Sequence, residues 1–244
     1  MSDAPLRGEG TAEAAWRRWD LPASWPRLPL DLRGRVIVVS PHPDDETLGV
    51  GGLLWLLRRR SHAVLVVGVT DGESSHPATA TRSAADLARC RRAEQVAALA
   101  HLGIGGTDVV RLGLPDTAVS DHEADLADVL ASLASTDDWL IAPWEADGHR
   151  DHDAAGRAAR RAADIGGARL LRYPLWAWHW TRPGHPALRS WRPLRVDLPD
   201  AALRAKCRAI DCYPSQTMSY GGDPPVVPAA MLDRHRRGWE TLLT

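Results

Sequence analysis

The stretch RVIVVSPHPDDETLGVGGLLWLLRRR, residues 35–60, decides the fold. It opens with RVIVVS (35–40), a continuous apolar, β-branched run that reads as a strand buried on both faces. It closes with residues 45–60, apolar at helical spacing. Between them SPHPDDE (40–46) crowds three acids and a histidine into a turn. Like-charged carboxylates repel, so a chain does not gather them for stability alone. A bound divalent cation would offset that repulsion. Pro41 and Pro43 bracket His42 and restrict its backbone, which helps to aim the ring. The carboxylates at the helix start also gain from the helix dipole. Glu46 reads as a structural, capping acid. Capping needs one side chain rather than three, which leaves His42, Asp44 and Asp45 for chemistry. The glycines of GVGG (49–52) follow the acids and lie inside the helix, which excludes a dinucleotide-binding loop.

Working outward, the same strand-then-helix pattern recurs. HAVLVVGVT (62–70), DVVRLGL (108–114), WLIAPW (139–144) and RLLRYPLWAW (169–178) read as strands. Residues 81–102, 121–134 and 151–165 read as the helices between them. Continuous apolar strands alternating with helices predict a mostly parallel α/β sheet covered on both faces. In such sheets sites form beyond the carboxyl ends of the strands. SPHPDDE follows the first strand, and residues 145–152 follow the fourth. The last third is irregular and rich in Trp and Pro, with a strand LRVDL (194–198), a helix over 199–211, a loop YPSQTMSYGGDPP and a last helix over 228–243. Residues 1–33 read as an N-terminal extension, and 34–244 as one domain with a core at 35–165 and a substrate-side region at 166–244.

The second cluster is EADGHRDHDAAG (145–156), which holds Asp147, His149, Asp151, His152 and Asp153. His149 and His152 are three apart at a helix start, so they are neighbours on one face. Imidazoles with carboxylates are a donor mix that Zn²⁺ accepts, and a catalytic site needs about three protein ligands and an open position.

PHPDDE after a first strand, with a distant HRDH, resembles the LmbE-like (PIG-L) family of zinc-dependent N-deacetylases, which remove acetyl groups from N-acetylglucosamine-type sugars. RRAEQVAALAHLGI (91–104), LGLPD (112–116) and APWEADGHRDHDAAG (142–156) resemble it too, so the likeness runs in order over about 35–165. The resemblance implies a Rossmann-like hydrolase with one Zn²⁺ held by His42, Asp45 and His152. It implies Asp44 as the general base for the attacking water, and His149, as an imidazolium oriented by Asp151, facing the oxyanion. It implies Arg91 and Asp116 as substrate-binding residues. Asp147 stands where mycothiol-pathway members carry a Tyr, a departure from the pattern. YPSQT (213–217) is similar to a Ser-Gln element near the C-terminal end of many relatives. Fe²⁺ or Co²⁺ would also suit these ligands.

Three alternatives separate by experiment. They are deacetylation of an amino sugar or amino-sugar conjugate, the same zinc amide hydrolysis on a non-sugar metabolite, and a non-catalytic carbohydrate-binding relative. A binding module has no need of a base beside a metal, which argues against the last. If extended, Trp176, Trp178 and Trp180 share one face, as a core or homo-oligomer stripe or as a substrate wall formed by Trp178 and Trp180. The net charge of −1 points to neither nucleic acid nor an anionic membrane as partner. The odd set Cys90, Cys207 and Cys212 is not a disulfide framework, and no apolar run spans a bilayer. The expected compartment is the cytoplasm.

Overall fold

The structure is a computed structural model that describes residue 6, residues 8–79 and residues 83–244. Among the described residues, seven strands form one sheet: β1 (Val36–Ser40), β2 (Val64–Thr70), β3 (Val109–Leu114), β4 (Trp139–Pro143), β5 (Arg169–Tyr173), β6 (Pro193–Asp197) and β7 (Trp239–Leu243). Their order is β3-β2-β1-β4-β5-β7-β6. β1 to β5 are mutually parallel, and β7 runs antiparallel between β5 and β6. The helices are α1 (Glu13–Arg17), α2 (Asp45–Arg59), α3 (Ala84–His101), α4 (Glu123–Leu133), α5 (Arg150–Gly166), α6 (Ala177–Trp180), α7 (Asp200–Ile210), α8 (Pro214–Thr217) and α9 (Ala229–His235).

Alternate residues of each central strand enter opposite cores, as the two-residue strand period requires. Val36, Val38, Val64 and Val66 meet Leu53, Leu54 and Leu57 of α2, with Leu99 and Leu102 from the α3 end. Ile37, Val39, Val67 and Val69 meet Leu126 and Leu130 of α4 and the Ala154, Ala155, Ala158 and Ala159 face of α5. A third cluster joins Trp16 and Trp25 of the N-terminal segment to Trp144, Trp178 and Trp191.

Helix α2 is kinked at Val50, where φ is −137° and ψ is 16°. The carboxylate of Glu240, from β7, accepts the freed N–H groups of Gly52 (2.7 Å) and Leu53 (2.8 Å). Lys206, the lone lysine of the chain, donates to Glu240 Oε1 at 2.7 Å and to the Leu48 carbonyl at 2.8 Å. A buried ion pair thus supplies what the break in the helix leaves unsatisfied.

The expected parallel α/β sheet with helices on both faces is present, and the first four strands and their helices fall within a few residues of their expected ends. Residues 81 and 82, the expected first residues of the helix now α3, lie outside the described residues, as do residues 1–5 and 7 of the extension. β3 sits at the sheet edge and is half-buried. Two expectations are corrected. The fifth strand stops at Tyr173, because Pro174 has no N–H for the ladder and the Asp147 carboxylate then accepts the N–H groups of Leu175, Trp176 and Ala177, each at 2.9 Å. The Trp176–Trp180 run is therefore a helical turn and shares no strand face. The expected last helix ends at His235, and Trp239–Leu243 after Gly238 pairs as β7 with β6. Among the described residues no helix is long and apolar enough to cross a membrane.

Candidate active site

The order β3-β2-β1-β4-β5 reverses direction between β1 and β4, and a crevice opens there beyond the carboxyl ends. The turn after β1 is tied down from several sides. The Pro41 carbonyl accepts from Thr70 N (3.0 Å) and Thr70 Oγ1 (2.8 Å), which locks it to the end of β2. Asp44 precedes α2 with φ 149° and ψ −23°, a conformation costly for any residue with a Cβ. Asp45 Oδ2 accepts His42 N at 2.8 Å and lies 3.1 Å from His42 Nδ1. Glu46 is fully buried and meets Tyr213 OH (3.0 Å), Gln95 Nε2 (3.2 Å) and Ser40 Oγ (2.5 Å), a set of polar neighbours that ties α2 to α3 and the C-terminal region.

The second cluster folds around the start of α5. His152 is fully buried; its Nδ1 lies 2.9 Å from Asp147 Oδ2 and its Nε2 lies 3.1 Å from Asp45 Oδ2. No hydrogen bond satisfies that Nε2. Asp45 Oδ2 therefore stands 3.1 Å from a ring nitrogen of each of two histidines. Ligands about 2.0–2.1 Å from one tetrahedral ion stand roughly 3.3–3.5 Å apart, so each of these two His–Asp45 pairs has a separation near that of atoms sharing one ion. The orphaned nitrogen is what a ligand lacks before its ion is bound, and Asp147 fixes the tautomer from behind. Ligand atoms of His42, His149 and His152, and of His42, Asp116 and Asp151, also lie within 4.8 Å of one another. Asp116 Oδ1 and Asp151 Oδ2 are each 3.2 Å from His42 Nε2, on the other edge of that ring. Asp116 Oδ2 also accepts the Ser74 backbone N–H (2.8 Å), and Asp151 Oδ2 that of Thr117 (2.8 Å).

Charge separates the roles. Burial pushes the His42 imidazole down, but hydrogen bonds to Asp116, Asp151 and Asp45 outweigh it and raise it well above its usual value. Burial likewise opposes His152, while Asp45 and Asp147 bring it up to about 9. Burial raises Asp45 and the two histidines pull it well below the usual carboxylate range. A divalent ion bound between them would displace protons from both rings. Asp44 differs. Burial lifts it to about 7, Arg91 opposes that rise, and Asp45 adds to it. His149 is pushed down to about 3, by burial and then by His152 and His42.

The cleft encloses about 150 Å³ and is lined by His42, Asp44, Asp45, Arg91, Asp116 and His149 together with Leu48, Ser74, Ser75, Thr117, Leu175, Trp176, Gln216, Val226, Val227 and Met231. The structure places the expected site residues as follows. Burial and the neighbouring rings favour the neutral form of His149, whose Nδ1 accepts the Asp151 backbone N–H at 3.3 Å, which puts the ring proton on Nε2. The Asp151 carboxylate turns to His42 and to Thr117 and Val119 N instead. Arg91 lines the cleft but is 2% exposed, with NH2 on the Pro43 carbonyl (3.0 Å) and Asp44 Oδ1 (3.2 Å) and NH1 on the Gly72 carbonyl (3.1 Å). Gly72, at φ +66°, has no room for a Cβ against that guanidinium. Trp178 is 4% exposed and packs edge-on against Trp16 (4.9 Å) and Trp191 (5.3 Å), so it is core; Trp180 donates Nε1 to the Asp147 carbonyl at 2.6 Å, and neither lines the cleft. Trp176 lines it and stacks 6.1 Å from His149 at 22°. Ser74, Ser75, Leu175, Val226, Val227 and Met231 belong to no motif, so nothing in the sequence marks them as cleft residues. The Ser-Gln element was the usable signal, since it delivers Gln216 to the wall.

A switch-point crevice with a histidine–carboxylate centre and an adjacent carboxyl held near neutrality is the frame of a metal-dependent hydrolase. The chain belongs to the PIG-L family, whose description is GlcNAc-PI de-N-acetylase, with residues 37–163 matched. It is 29% identical over 210 residues to 2'-N-acetylparomamine deacetylase of Streptomyces fradiae, covering 76% of this chain and 74% of that one. It is 32% identical over 139 residues to a probable N-acetyl-alpha-D-glucosaminyl L-malate deacetylase 2 of Bacillus subtilis (strain 168), covering 54% and 61%. The crystal structure of A40926 pseudoaglycone deacetylase shares the fold, with TM-score 0.65, 24% identity, and 86% and 96% of the two chains covered.

Proposed function

We propose that the protein is a zinc-dependent N-deacetylase that hydrolyses the acyl amide of an amino sugar or amino-sugar conjugate. The observation that carries the reading is Asp44, a carboxyl near pKa 7 at the edge of the His42, Asp45 and His152 convergence. His42, Asp45 and His152 would hold the ion, with Zn²⁺ suited to two imidazoles and a carboxylate, and Fe²⁺ or Co²⁺ tolerated. A divalent ion there supplies Lewis-acid polarisation of the amide carbonyl and lowers the pKa of water.

The chain's own groups do the rest. Asp44 accepts the proton of the attacking water, and the Asp44 carboxyl, now protonated, delivers a proton to the departing amine nitrogen. Its pKa near 7 suits both directions. His149 donates from Nε2 toward the developing oxyanion while neutral, and the Asp151 N–H holds that tautomer. Asp151 and Asp116 orient His42, Asp147 orients His152, and Arg91 positions Asp44. Asp116, Ser74 and Ser75 line the cleft where sugar hydroxyls would bind. Residues 8–33 act as an extension over one catalytic domain; Trp16 Nε1 donates to the Trp178 carbonyl at 3.1 Å. Three unbridged cysteines suit the cytoplasm. Acetate release from N-acetylglucosamine conjugates by metal-loaded protein tests the reading. No release at any metal content, or undiminished release by Asp44→Asn, overturns it.

A further inference from the structure

The YPSQT element brings Gln216 to the cleft on helix α8. Gln216 is 1% exposed, and the protons of its neighbours fix which way its amide points. The Glu94 carboxylate of α3 accepts twice from Ser215, the backbone N–H at Oε1 (2.8 Å) and the hydroxyl at Oε2 (2.6 Å). A hydroxyl has one proton, so Ser215 Oγ can only accept from its other neighbour. That neighbour is Gln216 Nε2, at 3.0 Å, which also donates to Ser75 Oγ at 3.3 Å. Both amide protons are thereby spent, and Gln216 Oε1 accepts no hydrogen bond. The Asp116 carboxylate belongs to the same side of the cleft, since its Oδ2 accepts the backbone N–H of Ser74, the residue before Ser75, at 2.8 Å.

Side-chain cations are scarce in the same lining. Among the described residues that line the cleft, Arg91 is the one arginine and there is no lysine. Arg91 is 2% exposed, and its terminal nitrogens already donate to the Gly72 and Pro43 carbonyls and to Asp44. A carboxylate on the substrate would therefore lose water and meet Asp44, Asp116 and Gln216 Oε1 with no side-chain cation to pair with. An ammonium group would find acceptors instead. We propose that Gln216 is a specificity-determining residue whose Oε1 accepts a hydrogen bond from the substrate, and that this acceptor set selects amino-sugar conjugates bearing an ammonium group over those bearing a carboxylate. Glu94 and Ser215 are positioning residues, because they hold the amide with its oxygen left over. The inference rests on the amide-hydrolase reading above and adds the substrate class. It needs no particular orientation of the conjugate in the cleft, because a free cation is lacking from the whole described lining.

The test uses metal-loaded, full-length protein and three N-acetylglucosaminides of matched length, the 2-aminoethyl, 2-hydroxyethyl and carboxymethyl glycosides. The expected kcat/KM falls in that order, by roughly tenfold or more from first to last, because reversing a charge beside carboxylates in a partly screened cleft does at least that. Gln216→Leu removes the acceptor and should lower kcat/KM for the aminoethyl glycoside by roughly 2–12-fold, mainly through KM. Glu94→Gln is nearly isosteric and lies outside the cleft lining. Its new amide can donate to Ser215 Oγ, which frees the Ser215 proton for Gln216. The Gln216 amide then turns over and leaves an N–H in place of its oxygen. The aminoethyl-to-carboxymethyl ratio should shrink several-fold in that variant with metal content retained, a change that a merely structural Glu94 would not produce. A carboxymethyl glycoside cleaved as fast as the hydroxyethyl one overturns the charge selection, and an unshifted ratio in both variants overturns the assignment of Gln216. Either result leaves the deacetylase reading standing. Absence of hydrolysis of all three glycosides, with metal bound, overturns the amide-hydrolase reading and the inference with it.

Discussion

Between β1 and α5, each chemically loaded side chain sits within a few residues of a strand's carboxyl end or a helix start: His42, Asp44 and Asp45 after β1, Asp116 after β3, Asp147, His149 and His152 after β4. After β5 the cleft residues come from a helical turn, a loop and a seven-residue helix, positioned by contacts far apart in sequence. His76 Nε2 lies 2.8 Å from the Ser215 carbonyl, and Ser215 Oγ donates to Glu94 at 2.6 Å. The first region owes its geometry to the sheet. The second owes it to individual hydrogen bonds. On the proposed reading, the reaction chemistry rests on the part the sheet fixes, and the second region adds Trp176, Gln216 and Met231 to the cleft wall.

The comparison predicts its sharpest break at the metal. His152→Ala and Asp45→Asn should each lose stoichiometric metal and with it turnover. Met231→Ala, on the other side of the cleft, should cost about 2–5 kcal/mol of stability and keep the metal. Elemental analysis beside thermal melts measures both; full metal occupancy in His152→Ala would remove that residue from the ligand set.

Asp44→Asn comes next. A general base contributes roughly 10²–10⁴-fold, so turnover should fall by that much with metal retained. The same substitution has an opposite effect on stability in metal-stripped protein. Asp44 titrates at about 7 when folded and at 3.8 ordinarily, so the folded state holds the proton more tightly. Its charge therefore costs stability fully above pH 7, and the cost fades as pH falls toward about 4. Metal-free Asp44→Asn should melt higher than the parent at pH 8, and the gap should close by about pH 4. An equal gap at both pH values would place the effect outside Asp44.

The same contrast explains what was legible in the sequence. β1, β2 and β4 announce themselves because a strand covered on both faces must be apolar throughout, and the helices between them because their apolar faces repeat. The two His/Asp clusters stand out because acids crowd together there without a local partner. By contrast β7 was unreadable: WETLL is a strand because β5 and β6 accept it, a long-range fact. The Trp176–Trp180 turn depends on the Asp147 carboxylate, which lies 28 positions before Leu175. The neutral state of His149 follows from burial and from neighbours on two elements, which spacing does not encode.

Two smaller effects sit on the seam between the regions. Trp178→Ala should cost about 3–5 kcal/mol, because the ring fills the Trp16, Trp191 and Trp239 cluster, while kcat/KM per folded molecule holds. A lowered kcat/KM with an unaltered melt would return Trp178 to the substrate side. Asp147→Asn should weaken metal affinity by about 10–100-fold, as loss of a carboxylate behind a ligating imidazole does. Competition with a chelator measures it, and unchanged affinity would break the Asp147–His152 link.

The smallest expected effect belongs to Trp180. Its Nε1 donates to the carbonyl of Asp147, whose side chain orients His152, and its ring lies against Gly148. Gly148 takes φ +94°, and a Cβ there would stand 2.7 Å from Trp180 Nε1, so the indole packs directly on the loop that carries His149. Trp180→Phe keeps the aromatic packing and removes the donor. A single hydrogen bond contributes about 0.5–1.5 kcal/mol, so metal affinity should fall a few-fold through a loosened Asp147. The kcat/KM of metal-loaded protein should not move, because Trp180 stands outside the cleft lining. Chelator competition and deacetylation kinetics, run on the same variant, separate the two quantities. A lowered kcat/KM with unaltered metal affinity would put Trp180 against substrate and erase the boundary between the sheet-fixed centre and the wall built after β5.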